Sequence, residues 1–229
     1  YLVSKLYSHE LSEAQELGAA IHGELNQLIP SFVKRAQRNE YLVGTTAAAK
    51  ALAAHSTFLA PVATKEPVTL VDYDTDAEEK VLAAILYGQA RQPLEQLRQV
   101  ASALSPTERQ QIFQEYFSKR RHRRDKLSRA FENVYYTFDI LGNLGLYRDL
   151  HRHRILTQER QEFTTVHGYD TPPEIEEGGF KSEFDHCMQS TAKLYEQIYR
   201  DLPCEAQYVV PFAYKVRWYM KMNLREAVH

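Results

Sequence analysis

The segment with the clearest chemical potential is YRDLHRHRILTQERQEF, residues 147–163. Its basic and imidazole side chains cluster between positions 148 and 154, at Arg148, His151, Arg152, His153 and Arg154. Planar guanidinium groups form bidentate, charge-assisted hydrogen bonds with phosphate, whereas histidines at positions i and i+2 of a regular helix cannot reach one metal ion. Cations near a helix C-terminus also stabilise the helix dipole. The segment therefore indicates a phosphate site or a helix end, and it argues against a metal site.

A denser basic run, KRRHRRDK, occupies residues 119–126. Such a run can bind nucleic acid, but this one lacks the interleaved aromatic side chains on which bases stack. The chain as a whole carries 28 lysines and arginines against 30 aspartates and glutamates, a formal net charge of −2, so it has no general attraction for polyanions. We interpret the run as an exposed face and keep nucleic-acid binding through 119–126 as the weaker alternative.

The motifs of several common enzyme classes are absent from the sequence. It contains no G-x-S-x-G nucleophile motif, no glycine-rich phosphate loop and no G-x-G-x-x-G. Its two cysteines, Cys187 and Cys204, have no metal-type spacing, and Cys187 is expected on the buried face of a helix. The low cysteine content and the lack of an apolar run of about 20 residues predict a cytoplasmic protein that does not cross a membrane.

The N-terminal part of the chain is predicted to be helical. Apolar residues at steps of three or four indicate a helix over 10–29 that stops at Pro30, followed by a second helical stretch over 31–38. Residues 41–64 are rich in alanine, and TKEP at 64–67 then breaks the pattern. We therefore expect a helical segment with a linker over 1–66 and a separate domain over 67–229.

From residue 67 onward strand and helix signals alternate, which predicts an α+β fold with helices flanking a sheet. VTLVDY (68–73) is typical of a buried strand, and ENVYYTFDI (132–140) gives the strongest strand signal. YKVRWYMKM (214–222) fits either a strand or the start of a helix. Its aromatic residues are expected in the core rather than against a flavin, and they are Tyr214, Trp218 and Tyr219.

Four helices are predicted in the same region. Those over 76–87 and from Ser105 begin with capping-box spacing, in Thr75-Asp76-Ala77-Glu78 and Ser105-Pro106-Thr107-Glu108. A helix over 143–153 would carry the basic cluster at its C-terminal end, and another spans 180–200. GYDTPPEIEEGG between them reads as a loop.

The order of three pieces resembles the flavin-dependent thymidylate synthases, the ThyX family. AFENVYYTFDI is similar to that family's strand, and Arg152-His153-Arg154-Ile155 is similar to its Arg-His-Arg signature. Asn223-Leu224-Arg225, in YKVRWYMKMNLREAVH, resembles its later Asn-x-Arg segment. The resemblance spans roughly 68–229 and implies a helix-flanked α+β fold that assembles into homo-oligomers with active sites between subunits.

The resemblance also implies a reaction. In this family FAD accepts hydride from NADPH, methylenetetrahydrofolate supplies a methylene group, and dUMP becomes dTMP. The residues of this chain that match flavin-contacting or signature residues are Arg152, His153, Arg154, Ile155, Asn223 and Arg225. Asn133 stands where the family has a flavin-contacting histidine, and His229 where it has a flavin-contacting asparagine. Arg152 and Arg154 are also implied as contacts to the nucleotide.

The N-terminus resembles the same family's C-terminal tail. LVSKLYSHELSEAQELGAAI places Lys5 at a substrate-contacting arginine and His9 in the tail's Ser-His pair. That tail normally follows Asn-x-Arg, which here lies at the end of the chain. We therefore expect a fragment of a tandem protein, in which the tail of one copy precedes most of a second copy.

Several positions depart from the family pattern. Asp149 replaces a nucleotide-contacting glutamine, Glu162 replaces the signature serine, Thr164 replaces an arginine, and Gln207 replaces the arginine that holds dUMP. Losing phosphate donors and adding carboxylates weakens anion binding. The alternative to an active enzyme is thus a catalytically degenerate copy with a structural role at an interface.

Overall fold

The computed structural model describes residues 1–54, 66–122 and 124–229. The chain divides into two compact units, which we call the helical unit (Tyr1–Lys65 and Gln189–Val210) and the sheet unit (Glu66–Met188 and Pro211–His229). The first part of the expected linker is helical over Glu40–Ala53, whereas residues 55–65 lie outside the described residues, as does position 123 of the basic run. The assignment of 1–66 and 67–229 as separate domains stays a prediction. No helix in the described ranges has the length and apolar character to cross a membrane.

The helical unit begins with four helices. These are α1 (Leu2–Tyr7), α2 (Ser12–Leu28), α3 (Pro30–Val33) and α4 (Glu40–Ala53). A Cβ added to Gly18 of α2 would lie 2.8 Å from Cβ of Leu6, so glycine permits α1 and α2 to pack closely. Asn39 caps α4 by accepting a 3.1 Å hydrogen bond from the Leu42 amide. The predicted helix over 10–29 is confirmed, and the stretch after Pro30 is shorter than predicted.

The sheet unit contains a four-stranded antiparallel sheet in the order β1-β2-β4-β3. The strands are β1 (Val68–Tyr73), β2 (Tyr135–Asn143), β3 (Thr157–Arg160) and β4 (Lys215–Asn223). β2 and β4 pair without interruption, from Tyr135 opposite Asn223 to Asn143 opposite Lys215. The segment 214–222 is therefore a strand, and its buried residues alternate at Val216, Trp218 and Met220.

Seven further helices alternate with these strands along the described part of the chain, which confirms the predicted α+β class. They are α5 (Ala77–Tyr87), α6 (Leu94–Ala103), α7 (Pro106–Phe117), α8 (Leu144–Leu150), α9 (Pro173–Glu177), α10 (Lys181–Asp201) and α11 (Leu224–Ala227). α7 begins with the predicted capping box, since the Glu108 amide donates to the Ser105 hydroxyl and the Ser105 amide donates to the Glu108 carboxylate. A 3-10 turn, Arg129–Asn133, leads into β2.

Two apolar clusters hold the sheet unit together. The first joins α5 to the chain that precedes β2, through Val81, Leu127, Ala130, Phe131 and Val134. The second joins α8 to one face of β4, through Leu144, Tyr147, Val216, Trp218 and Met220. Burial of this apolar area is the main favourable contribution to the fold. The first cluster fixes the 3-10 turn and the residues just before it.

Two burial predictions for the strands were wrong. β1 is not buried: all of its residues are exposed, because it is an edge strand that pairs with β2 alone. Tyr219 is 40% exposed, because alternate residues of a strand face opposite sides and its neighbour Trp218 occupies the core. Tyr214 and Trp218 are core residues as predicted, at 2% and 1% exposed.

Three helix predictions also need correction. α8 ends at Leu150, since the chain must become extended to pair β3 with β4. Cys187 of α10 is exposed, and the buried side of that helix carries its neighbour Met188 instead, because one residue is a rotation of about 100°. The capping box at 75–78 does not form: Asp76 binds Lys80 and Arg98 at 2.8 Å and 2.7 Å.

We expect Trp218→Ala to lower the free energy of unfolding by about 3–5 kcal/mol, because it leaves a cavity where a fully buried aromatic ring packs. Tyr219→Ala, on the exposed side of the same strand, should cost less than about 1 kcal/mol. Urea unfolding followed by far-UV circular dichroism measures both changes. Equal losses for the two variants would contradict this packing of β4.

Candidate functional site

Residues distant in the sequence line one pocket in the sheet unit, with a volume of about 170 Å³. The lining side chains are Arg120, Lys126, Leu127, Glu132, Ile155, Asn223, Arg225, Glu226, Val228 and His229. Four of them are among the predicted site residues, namely Ile155, Asn223, Arg225 and His229. The fold thus brings the end of the basic signature to the Asn-x-Arg segment, as the resemblance implied.

The end of β4 positions the second half of this pocket. Asn223 is 7% exposed and caps α11, its side-chain oxygen accepting a 2.9 Å hydrogen bond from the Glu226 amide. The Leu224 amide donates to the Val134 carbonyl at 2.9 Å, which ties α11 to the start of β2. Asn223 therefore fixes where α11 begins and where Arg225 and Glu226 project. Its contact with FAD stays a prediction.

Arg225 forms an ion pair with Glu132 of the 3-10 turn, at 2.5 Å. Glu132 also pairs with Arg129, whose side chain lies outside the pocket, at 3.1 Å. The Arg225 guanidinium, and then that of Arg129, lower the pKa of the Glu132 carboxyl below its ordinary value of 4.5. The pair orients the Arg225 guanidinium at the pocket wall.

His153 lies beside the pocket rather than in its lining. Its Nδ1 is 3.3 Å from the carboxylate of Glu226, a side chain only 9% exposed. Its ring also meets the ring of His229 edge to face, with centroids 6.5 Å apart. His153 and His229, 76 positions apart in the chain, are thus neighbours, and Glu226 lies between the pocket and the signature.

The two signature arginines are not in this pocket. Both are exposed, in the turn between α8 and β3. Arg152 pairs with Asp149 at 3.4 Å, and both side chains are about three-quarters exposed, at 76% and 75%. Because α8 ends at Leu150, the expected display of the basic cluster along the last turn of a helix was wrong. Nucleotide contacts by Arg152 and Arg154 stay predictions.

The remaining predicted site residues lie elsewhere. The Asn133 side chain donates to the Ala130 carbonyl at 2.9 Å within the 3-10 turn, and it does not line the pocket. Lys5 and His9 belong to the helical unit. The Lys5 ammonium lies 4.9 Å from the ring centre of Tyr1, and His9 Nδ1 accepts from the Leu11 amide at 3.1 Å.

Sequence reasoning missed six residues of the pocket, four of which are charged. Glu226 stands three positions after Asn223, the spacing of a cap and its N3 residue, so the sequence did contain a signal for it. Glu132 carried none, because its partner Arg225 is 93 positions away. Arg120 and Lys126 belong to the basic run that we interpreted only as an exposed face.

Comparisons with known proteins cover most of the chain. The family model described as thymidylate synthase complementing protein matches residues 69–229. UPF0159 proteins of Chlamydia pneumoniae and Chlamydia muridarum are 36% and 33% identical over 232 residues, which is 98% of this chain and 44% of each relative. The chain thus spans less than half the length of these curated relatives.

A solved structure shows a similar fold. It is a UMP/dUMP methylase, PolB from Streptomyces cacaoi, bound with 5-Br dUMP. The TM-score is 0.53 at 16% sequence identity, over 69% of this chain and 73% of that chain. The similarity supports the α+β fold class.

We expect the Glu132→Gln variant to lose less stability than the parent chain when the pH is lowered. Folding lowers the pKa of the Glu132 carboxyl, so the carboxylate stabilises the folded state at pH values above its unfolded pKa of about 4.5. This contribution to stability is lost as the pH falls from that value through the lower pKa of the folded state. Urea midpoints between about pH 6 and pH 2, followed by the fluorescence of the single tryptophan, Trp218, measure the effect. Glu177→Gln, at an exposed position, is the control, and parallel curves for Glu132→Gln and the parent would contradict the ion pair.

Proposed function

This chain belongs to the thymidylate synthase complementing protein family, and from that premise we propose that it takes part in methylating dUMP to dTMP. The proposed cofactor is FAD, with NADPH and methylenetetrahydrofolate as co-substrates. Bound FAD would supply hydride transfer. The observation that carries the proposal is the pocket, in which the signature residue Ile155 meets Asn223, Arg225 and His229 of the Asn-x-Arg segment.

The chemistry of the pocket suits part of a flavin nucleotide. Leu127, Ile155 and Val228 offer apolar wall for a ring system, while Arg225 and two further cations offer donors for phosphate oxygens. We propose that Arg225 binds the cofactor through the guanidinium nitrogens that Glu132 leaves available, and that Asn223 holds α11 in place for this contact.

The pocket is too small to enclose FAD. Its volume of about 170 Å³ is below the roughly 300–1,000 Å³ of pockets that bury drug-sized ligands. A further surface must complete the site, and we propose that it comes from a second subunit or a second copy. The length of the UPF0159 relatives leaves room for such a copy. Arg152, Arg154, His153 and Lys5 remain the proposed contacts to the nucleotide or flavin in that complete site.

A catalytically degenerate copy is the second candidate. The observation that favours it is the pair between Arg152 and Asp149, in which a carboxylate of this chain occupies a signature guanidinium that would otherwise meet phosphate. Asn133 is likewise engaged with its own turn. Under this alternative the sheet unit keeps the fold of the family and contributes an interface, while a partner copy performs the chemistry.

We expect the purified chain to quench FAD fluorescence on titration, and Arg225→Gln to weaken FAD binding by about ten-fold, the loss of one charge-assisted hydrogen bond. Arg129→Gln is the matched control, because it removes the other partner of Glu132 without touching the pocket. It should change the affinity by less than about two-fold. No FAD uptake by the parent chain, either alone or at concentrations at which it forms oligomers, together with none by a full-length relative, would contradict the proposed cofactor.

Complementation of a thymidine-requiring bacterial strain distinguishes the two candidates. If this chain is the active enzyme, its expression should permit growth without thymidine, and Arg225→Gln should slow that growth, because weaker cofactor binding lowers the fraction of loaded enzyme. Growth supported by this chain alone would refute the degenerate copy. FAD binding without growth would refute the independent enzyme.

A further inference from the structure

The basic run at 119–126 supplies two cations to the lining of the candidate pocket, Arg120 and Lys126. Both carboxylates of the pocket are engaged, Glu132 with Arg225 and Glu226 with His153. The other two cations of the lining, Arg120 and Lys126, form no ion pair within residues 1–54, 66–122 and 124–229. Positive charge on a pocket wall favours an anionic ligand.

We propose that Arg120 and Lys126 bind a phosphate group of the ligand that occupies this pocket. The proposal rests on the proposed function for the identity of the ligand, a flavin or pyrimidine nucleotide. Arg120 can give two parallel hydrogen bonds to phosphate oxygens, and Lys126 adds a point charge. The lining also contains apolar side chains, so the phosphate would be the polar end of a ligand whose ring lies against Ile155 or Val228.

Both cations are anchored by the same apolar cluster, so their spacing is set by the fold. Arg120 follows α7, and its amide donates to the Phe117 carbonyl at 2.9 Å. The Phe117 ring packs 5.7 Å from that of Phe131. At the other end of the run, Lys126 precedes Leu127, which is buried in the cluster that contains Phe131. The run is thus attached at both ends.

Asp125 holds the loop between the two cations. Its carboxylate accepts hydrogen bonds from the amides of Arg121 at 2.8 Å and His122 at 3.2 Å. These bonds lower the pKa of Asp125, the Arg121 amide having the largest effect. The single acidic residue of the run therefore closes a turn, which keeps Arg120 and Lys126 on the pocket side. Position 123 of this loop lies outside the described residues.

The same run contains natural controls. Lys119 pairs with Glu115 at 2.9 Å and is 77% exposed, and Arg121 is exposed and outside the pocket. A nucleic acid attracted by charge alone would use these two residues as much as Arg120 and Lys126. A small phosphate ester bound in the pocket would contact Arg120 and Lys126 but not Lys119 or Arg121. Comparing the effects of substituting these two pairs of neighbouring cations therefore distinguishes a specific phosphate site from a general basic surface.

The test compares the parent chain with the double variants R120Q/K126Q and K119Q/R121Q, all of them checked for folding by circular dichroism. Each is titrated with FAD, riboflavin, dUMP, deoxyuridine and inorganic pyrophosphate, by flavin fluorescence or calorimetry. We expect R120Q/K126Q to weaken at least one phosphorylated ligand and pyrophosphate by about ten-fold or more, and riboflavin and deoxyuridine by less than about two-fold. K119Q/R121Q should match the parent.

Each outcome decides the proposal. Loss confined to FAD or to dUMP supports it and tells which ligand brings the phosphate. Pyrophosphate binding that needs Arg120 and Lys126, without FAD binding by the parent, supports this proposal while counting against the proposed cofactor. Three results would overturn the proposal: riboflavin binding weakened as much as FAD binding, equal losses in both double variants, or no pyrophosphate binding by the parent. Preferential binding of a short single-stranded oligonucleotide would assign the run to nucleic acid instead.

Discussion

The pairing of β2 with β4 is the constraint on which the candidate site depends. The start of β2 lies opposite the end of β4, with Tyr135 across from Asn223, and the Leu224 amide closes the junction on the Val134 carbonyl. Asn223 then caps α11, so the helix begins at a fixed point beside the 3-10 turn. A shift of this register by one residue would turn Asn223 to the opposite face of the sheet and separate Arg225 from Glu132.

Charged side chains determine which ligands the pocket can bind. The ion pair between Arg225 and Glu132 costs desolvation, and its contribution to stability is modest because both side chains are about one-third exposed, at 34% and 28%. Its larger effect is to orient a guanidinium at the pocket wall. Glu226 lies 3.3 Å from His153 Nδ1, so each carboxylate of the site contacts a basic side chain of this chain. The basic run then sets the sign of the charge that an incoming ligand meets.

The residues implied by the family resemblance lie in two places in the structure. Ile155, Asn223, Arg225 and His229, chosen from motif order, meet in one pocket, and His153 lies next to it. Arg152 and Arg154 point to an exposed surface, and Asn133 is engaged in its own turn. The first group of residues thus lies in a pocket of the sheet unit, whereas the signature arginines lie on its exposed surface. A site shared with another subunit or copy would have this form, since each contributor holds only part of the ligand.

The sequence determined the features that depend on local chemistry. The capping box at Ser105, the strand in ENVYYTFDI and the helix over 180–200 follow from spacing and residue type, and so does the order of family motifs. Tertiary structure decided what depends on partners distant in the chain. It made β4 a strand by pairing it with β2, left β1 exposed at the edge of the sheet, and ended α8 early so that β3 could pair. It also brought Glu132 to Arg225 and turned two members of a basic run toward a pocket, because an ion pair and a pocket wall are defined by proximity in space, which periodicity along the chain does not encode.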